Sequence, residues 1–193
     1  MRSLSLGMTK AEIRKIELAR RKALSVEQVE LMSRALLEQF KELDFSEVST
    51  VHIFLPIEEK REPDTFLFVE WLADAYPSIK IIVPKADFET ALMSHHIYEG
   101  KEDLQKNMYN ILEPQRSGVY SGEIDLVVVP LLGFDLKGYR VGYGKGFYDR
   151  FLTGIETRKI GLSFLGPVES IDDVHAQDIR LDLCITPDRV YNF

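Results

Sequence analysis

One cysteine and one tryptophan stand among 193 residues. A lone cysteine excludes an intrachain disulfide and a zinc site built from thiolates. Cys184 sits in the apolar run Leu183-Cys-Ile-Thr, with no histidine beside it, so a buried, inert thiol is expected. No apolar run approaches the roughly 18 residues that a membrane-crossing helix needs, so no membrane partner is expected. The opening Met1-Arg-Ser-Leu-Ser-Leu-Gly-Met8 is too short and too polar for a secretory signal, and a cytoplasmic protein is expected. Positive charge is also in deficit. Twenty-four Lys and Arg face 31 Asp and Glu, a net charge of −7, which disfavours nucleic acid as a partner.

The positive charge that exists is concentrated. Residues 1–22 hold seven Lys/Arg against two Glu, and residues 137–150 hold four against one Asp. Cations gathered at two places in an acidic protein suit a small anion better than a polyanion. The length fits a single domain, 1–193, large enough to fold on its own core, and a monomer is expected.

Hydrophobic periodicity alternates between helix and strand. Thr9-x-x-Glu12 is a capping box opening a helix over about 10–23, and Ser25-x-x-Gln28 opens a second reaching about Leu43. On the first helix Lys10, Arg14, Glu17 and Arg21 share one face; spacing alone favours a solvated face with a Glu17–Arg21 pair. Strands are expected over 51–55, 80–83, 92–98, 125–129, 158–164 and 183–186, with helices over 66–75, capped by Asp64, and 145–152. The alternation implies an α/β fold with a mostly parallel sheet and helices on both faces. Leu55-Pro56, Val83-Pro84, Val129-Pro130 and Thr186-Pro187 place a proline directly after an apolar run, where it should stop the strand. Ligands bind beyond the carboxyl ends of strands in such sheets, and charged or glycine-rich residues follow these prolines.

The richest such stretch is Pro130-Leu-Leu-Gly-Phe-Asp-Leu-Lys-Gly-Tyr-Arg-Val-Gly-Tyr-Gly-Lys-Gly-Phe-Tyr-Asp149. Its glycines let a ligand approach the backbone. Backbone N–H groups with Arg140 and Lys145 beside them would make a phosphate cradle, and Asp149 offers an oxygen to magnesium. Gly142-Tyr-Gly-Lys-Gly146 matches neither the dinucleotide fingerprint nor the P-loop, so on spacing alone a surface turn without a ligand stays open. The histidines offer less. His95 and His96 are adjacent and point to opposite faces of a strand; His52 should be packed and hydrogen-bonded, and His175 exposed.

Pro130-Leu-Leu-Gly-Phe-Asp135 followed by Gly138-Tyr-Arg-Val-Gly-Tyr-Gly-Lys-Gly-Phe-Tyr-Asp-Arg150 resembles the signature of 5-formyltetrahydrofolate cyclo-ligases. Lys10-x-x-x-Arg14, Phe54-Leu55 with Glu62-Pro-Asp-Thr65, Ile82-Val-Pro-Lys85 and Gln177-Asp178 are similar to further pieces of that family, in the same order. The stretch 56–61 is longer than the family's spacing, and Phe147 stands where a tyrosine is usual, so its hydroxyl is lost. The resemblance implies a three-layer α/β/α sandwich and closure of 5-formyltetrahydrofolate to 5,10-methenyltetrahydrofolate, with ATP and Mg²⁺ as cofactors. ATP would lie on Lys10, Arg14, Arg140, Val141, Gly142, Tyr143, Gly144, Lys145, Gly146, Phe147 and Tyr148. The folate would contact Leu55, Glu62, Tyr143, Phe147 and Tyr148. Magnesium would sit on Asp149 and Asp178, and Lys145 and Arg140 would carry catalysis. Phosphoryl transfer needs positioning and charge neutralisation rather than a nucleophilic side chain, which suits a chain with no candidate Ser, Cys or His nucleophile.

Overall fold

The computed structural model describes residues 7–193. Residues 1–6, most of the segment weighed as a signal peptide and the site of Arg2, lie outside the described residues. In chain order the elements are α1 (Lys10–Lys22), α2 (Val26–Lys41), β1 (Thr50–Ile53), α3 (Phe66–Ala75), β2 (Lys80–Asp87), β3 (Leu92–Ile97), β4 (Leu104–Lys106), β5 (Leu112–Pro114), β6 (Leu126–Pro130), β7 (Gly133–Phe134), β8 (Arg140–Val141), α4 (Phe147–Leu152), β9 (Arg158–Leu162), β10 (Leu183–Ile185) and β11 (Val190–Asn192). Both expected capping boxes form: Thr9 and Ser25 accept the N–H three residues on, and Glu12 and Gln28 reach back. No helix among the described residues is long and apolar enough to cross a membrane.

Seven strands make the main sheet in the order β11-β10-β9-β6-β1-β2-β3. The five inner strands run parallel, and the edge strands β3 and β11 run antiparallel. Successive residues of β6 point to opposite faces, and both faces are covered, which is why Leu126 to Val129 read as an unbroken apolar run. Leu36, Leu37 and Phe40 of α2 and Phe68, Val69 and Leu72 of α3 pack with Val51, Ile53, Val128, Ile160 and Leu162. Val127, Val129 and Cys184 pack on the other side with Phe134 and with Leu152 of α4. The result is the expected α/β architecture, with helices on both sides of a mostly parallel sheet. Cys184 is fully buried, and burial pushes its thiol well above its usual range.

Among the departures from expectation, two have a clear local cause. β2 does not stop at Pro84 but continues to Asp87 beside β3. Ile81 turns its carbonyl to Tyr98, and the direction alternates along the strand, so the Pro84 nitrogen faces away from β3. It faces the row where β1 pairing has already ended at Ile82, and no ladder bond is missed. The formal cap of α3 is Thr65 rather than Asp64. The Thr65 hydroxyl donates to the Phe54 carbonyl at 2.6 Å, tying the helix to the end of β1, while Asp64 accepts the Phe66 N–H.

The topology fixes where a ligand fits. From β1 the chain crosses through α3 to β2 on one side; from β6 it crosses through α4 to β9 on the other. Neighbouring strands whose connections leave in opposite directions open a crevice at their carboxyl ends. The segment after β1 carries Glu62, and the segment after β6 is the glycine-rich loop.

Candidate active site

The loop is held by its two ends. The short β7–β8 hairpin turns it back over the sheet, and α1 lies close above, since a Cβ on Gly133 would stand 2.9 Å from Ile13 Cγ2. Arg140 before the loop and Asp149 after it form an ion pair of 3.0 Å. The Arg140 guanidinium also donates to the Ile179 carbonyl, and the Ile179 N–H donates to Asp149 Oδ1 at 3.1 Å. Arg140 is thus buried and paired behind the loop rather than displayed on it.

Between these ends Gly144 (φ +88°) and Gly146 (φ +68°) adopt left-handed backbone. Gly146 delays the helix, so α4 begins at Phe147 and not at Lys145 as expected. Lys145 is therefore on the exposed loop, and among the described residues its ammonium pairs with no acid. None of the five N–H groups from Gly142 to Gly146 donates to a protein acceptor among the described residues. Arg14 Nε donates to the Gly142 carbonyl at 2.8 Å, and its guanidinium lies along Gly144.

The face of α1 read as solvated is in fact covered: Lys10, Glu17 and Arg21 are buried against the loop and its neighbours. The expected Glu17–Arg21 pair does not form; Glu17 pairs with Arg20 at 3.0 Å. Arg21 instead donates to the Tyr143 hydroxyl at 3.1 Å and to the Leu131 carbonyl. Tyr143 donates in turn to Glu62 Oε1 at 2.6 Å, and the Ile57 N–H donates to Oε2 at 2.8 Å. Burial pushes the Glu62 carboxyl above its usual range, while the Tyr143 hydroxyl, the Ile57 N–H and the charges of Arg21 and Lys60 pull the other way. Burial beside Glu62 also raises the Tyr143 phenol, which stays protonated. The Lys60 ammonium lies 4.1 Å from the centre of the Tyr143 ring.

Lys10 pairs with Asp178, and the Lys10 N–H donates to Asp173 at 2.7 Å. Burial disfavours the Asp178 carboxylate, but the His175 N–H and Lys10 outweigh it and hold the group below its usual range. The aromatics separate. Tyr143 lies by Glu62; Phe147 meets Phe88 edge-on at 5.4 Å, and Tyr148 packs near His52 at 6.0 Å. Leu55 is in the apolar core behind β1. His52 is packed as expected but not hydrogen-bonded: both ring nitrogens lack a partner among the described residues, and burial holds the imidazole well below its usual range, so it stays neutral.

The loop thus gathers Arg14, Arg140, Asp149 and, through Tyr143, Glu62, with Lys10 and Asp178 joined to it through Ile179. Sequence reasoning missed Arg21, Lys60 and Asp173. Arg21 had a signal, its place on the Lys10–Arg14–Glu17 face; Lys60 and Asp173 had none.

Residues 7–187 match the model described as the 5-formyltetrahydrofolate cyclo-ligase family. The chain belongs to this family. The 5-formyltetrahydrofolate cyclo-ligase of Escherichia coli K12 is 25% identical over 181 residues, covering 90% of this chain and 98% of the relative. The mouse cyclo-ligase is 28% identical over 164 residues, covering 79% and 77%. A solved 5,10-methenyltetrahydrofolate synthetase from Aquifex aeolicus superimposes with a TM-score of 0.78 at 32% identity, covering 96% of this chain and 93% of that one. That of Mycoplasma pneumoniae gives 0.69 at 26%, covering 92% and 98%. Cyclo-ligase membership makes this chain an enzyme of folate one-carbon chemistry, and the structural match agrees with the α/β fold described above.

Proposed function

We propose that the chain closes 5-formyltetrahydrofolate to 5,10-methenyltetrahydrofolate with Mg²⁺-ATP, releasing ADP and phosphate. The observation that carries this reading is the row of N–H groups from Gly142 to Gly146, without protein acceptors among the described residues, with Arg14 and Lys145 beside it and joined through Tyr143 to the buried Glu62. Such a row is an anion cradle, and an acceptor carboxylate at its edge suits the amino and N–H groups of a pterin.

In the proposed reaction the formyl oxygen attacks the γ-phosphorus, forming an O–P bond as the bond to ADP breaks. N10 then attacks the activated formyl carbon, closing the ring, and the C–O bond breaks, the leaving phosphate taking the proton that N10 gives up. The loop N–H groups, Arg14 and Lys145 bind the phosphates and hold them in line. Lys10 adds positive charge from the Asp178 side.

The donor set fits magnesium. Asp149 accepts the N–H of Ile179, the residue after Asp178, and among the described residues Asp149 Oδ2 takes none of the bonds that hold Oδ1. No group of three or more His, Cys, Asp or Glu side chains that would form a protein cage occurs among the described residues. Two carboxylates with phosphate oxygens and water are the usual surroundings of Mg²⁺ in phosphoryl transfer, where it neutralises developing charge.

The test is direct. Purified protein with 5-formyltetrahydrofolate and Mg²⁺-ATP should form a product with the added conjugation, and so the new absorbance band, of the methenyl chromophore. Mg²⁺-ATP binding by titration calorimetry without that product would overturn the reading. Asp149→Asn should raise the Mg²⁺ concentration needed for half-maximal rate by about tenfold, since it removes charge from the ligand set. An unaltered Mg²⁺ titration would move the metal elsewhere.

A further inference from the structure

We propose that Arg21, a residue with no assigned role, is a positioning residue that acts through Tyr143 to hold Glu62 as an oriented anion for the folate. The inference rests on the cyclo-ligase reading of the site. Arg21 is 5% exposed, and its guanidinium makes a fork. One arm is anchored on the Leu131 carbonyl, just past the end of β6, and the other donates to the Tyr143 hydroxyl at 3.1 Å.

A phenol that accepts from a cation is a stronger donor in its turn, because hydrogen bonds in a chain polarise one another. Tyr143 spends that donation on Glu62 Oε1 at 2.6 Å. The Ile57 N–H fixes Oε2, so both carboxylate oxygens have a set direction. Each oxygen keeps a lone pair for a ligand. The charged and titratable groups around Glu62 are Tyr143, Tyr148, Arg21 and Lys60, and Arg21 and Lys60 are the cations that favour its ionised form. Lys60 lies over the Tyr143 ring and does not bond Glu62.

The neighbouring contacts leave Arg21 free for this task. Glu17, one turn earlier, takes Arg20 as its partner. The guanidinium therefore points to the loop, and α1 reaches the folate side of the site as well as the phosphate side, where Arg14 meets Gly142.

The experiment is a double-mutant cycle of Arg21→Met and Tyr143→Phe in the full chain, with Arg21→Lys as the milder variant. Arg21→Met should raise KM for 5-formyltetrahydrofolate about 10- to 100-fold, the loss expected for a charge-assisted hydrogen bond, and change KM for ATP little. In the Tyr143→Phe background the same substitution should have only a small further effect, because the path runs through the phenol. Carbon-13 NMR of the Glu62 carboxyl, which needs no turnover, should show its titration moved upward in Arg21→Met and closer to wild type in Arg21→Lys. Effects that are additive across the cycle, or equal on both KM values, overturn the inference, as does an unmoved Glu62 titration. A wild type that forms no methenyl product overturns the functional reading instead, and the two failures are distinguishable.

Discussion

Lys145→Ala is expected to lower kcat/KM by about 10² or more while leaving Tm unchanged. The two halves of this expectation have one cause. Lys145 is exposed and pairs with no acid among the described residues, so its ammonium contributes nothing to the fold that its removal would take away. Its backbone is fixed nonetheless, between two glycines in the left-handed region. A charge without a structural partner, on a loop with a set course, is available to a group that arrives with the ligand. In phosphoryl transfer that charge counts most where the γ-phosphoryl oxygens gain negative charge, so kcat should fall with KM for ATP less affected. Steady-state kinetics and thermal melts of the same preparation check both halves, and unchanged kinetics would remove Lys145 from the mechanism.

Glu62→Gln should lower kcat/KM by a similar factor of about 10², yet melt no lower than wild type at neutral pH. The reason is burial. The folded protein holds the Glu62 proton to higher pH than the unfolded chain does, where the group titrates near its ordinary 4.5. A folded state that binds the extra proton loses stability as pH rises from that value through the folded carboxyl's range. Gln has no proton to lose there. The Tm of the variant relative to wild type should therefore climb as pH rises from about 4.5 through the range in which the folded carboxyl loses its proton. Scanning calorimetry across that range measures it; a relative Tm that falls with pH would show that Glu62 is not a strained anion.

Much of this site was legible in the chain. The capping boxes placed α1 and α2, the apolar run 126–129 placed the central strand, and α3 spans its expected residues. The glycine pattern located the loop. What was not legible depended on contacts between distant segments. The α1 face that reads as solvated is polar in every residue, and a polar face carries no mark of what will cover it. Lys10, Glu17 and Arg21 are buried because segments 110 to 168 residues away lie on them. Arg140 was expected at the phosphates, because a cation in a glycine loop reads the same whether it points outward or back to Asp149. Pro84 was misread because its effect depends on which neighbour continues beside it, a property of the sheet and not of the strand.

The Arg140–Asp149 pair closes the glycine loop into a ring of chain, and this has a thermodynamic consequence. Glycines give a loop many alternative shapes, and an open loop would have to surrender them when it wraps an anion. Here the ends are pinned before any ligand arrives, so much of that freedom is already lost in the free protein and is charged to folding. Ligand capture by such a ring is a docking event more than a coupled ordering event. Its rate should be set by encounter and charge, falling with ionic strength, and not by a slow search of loop conformations.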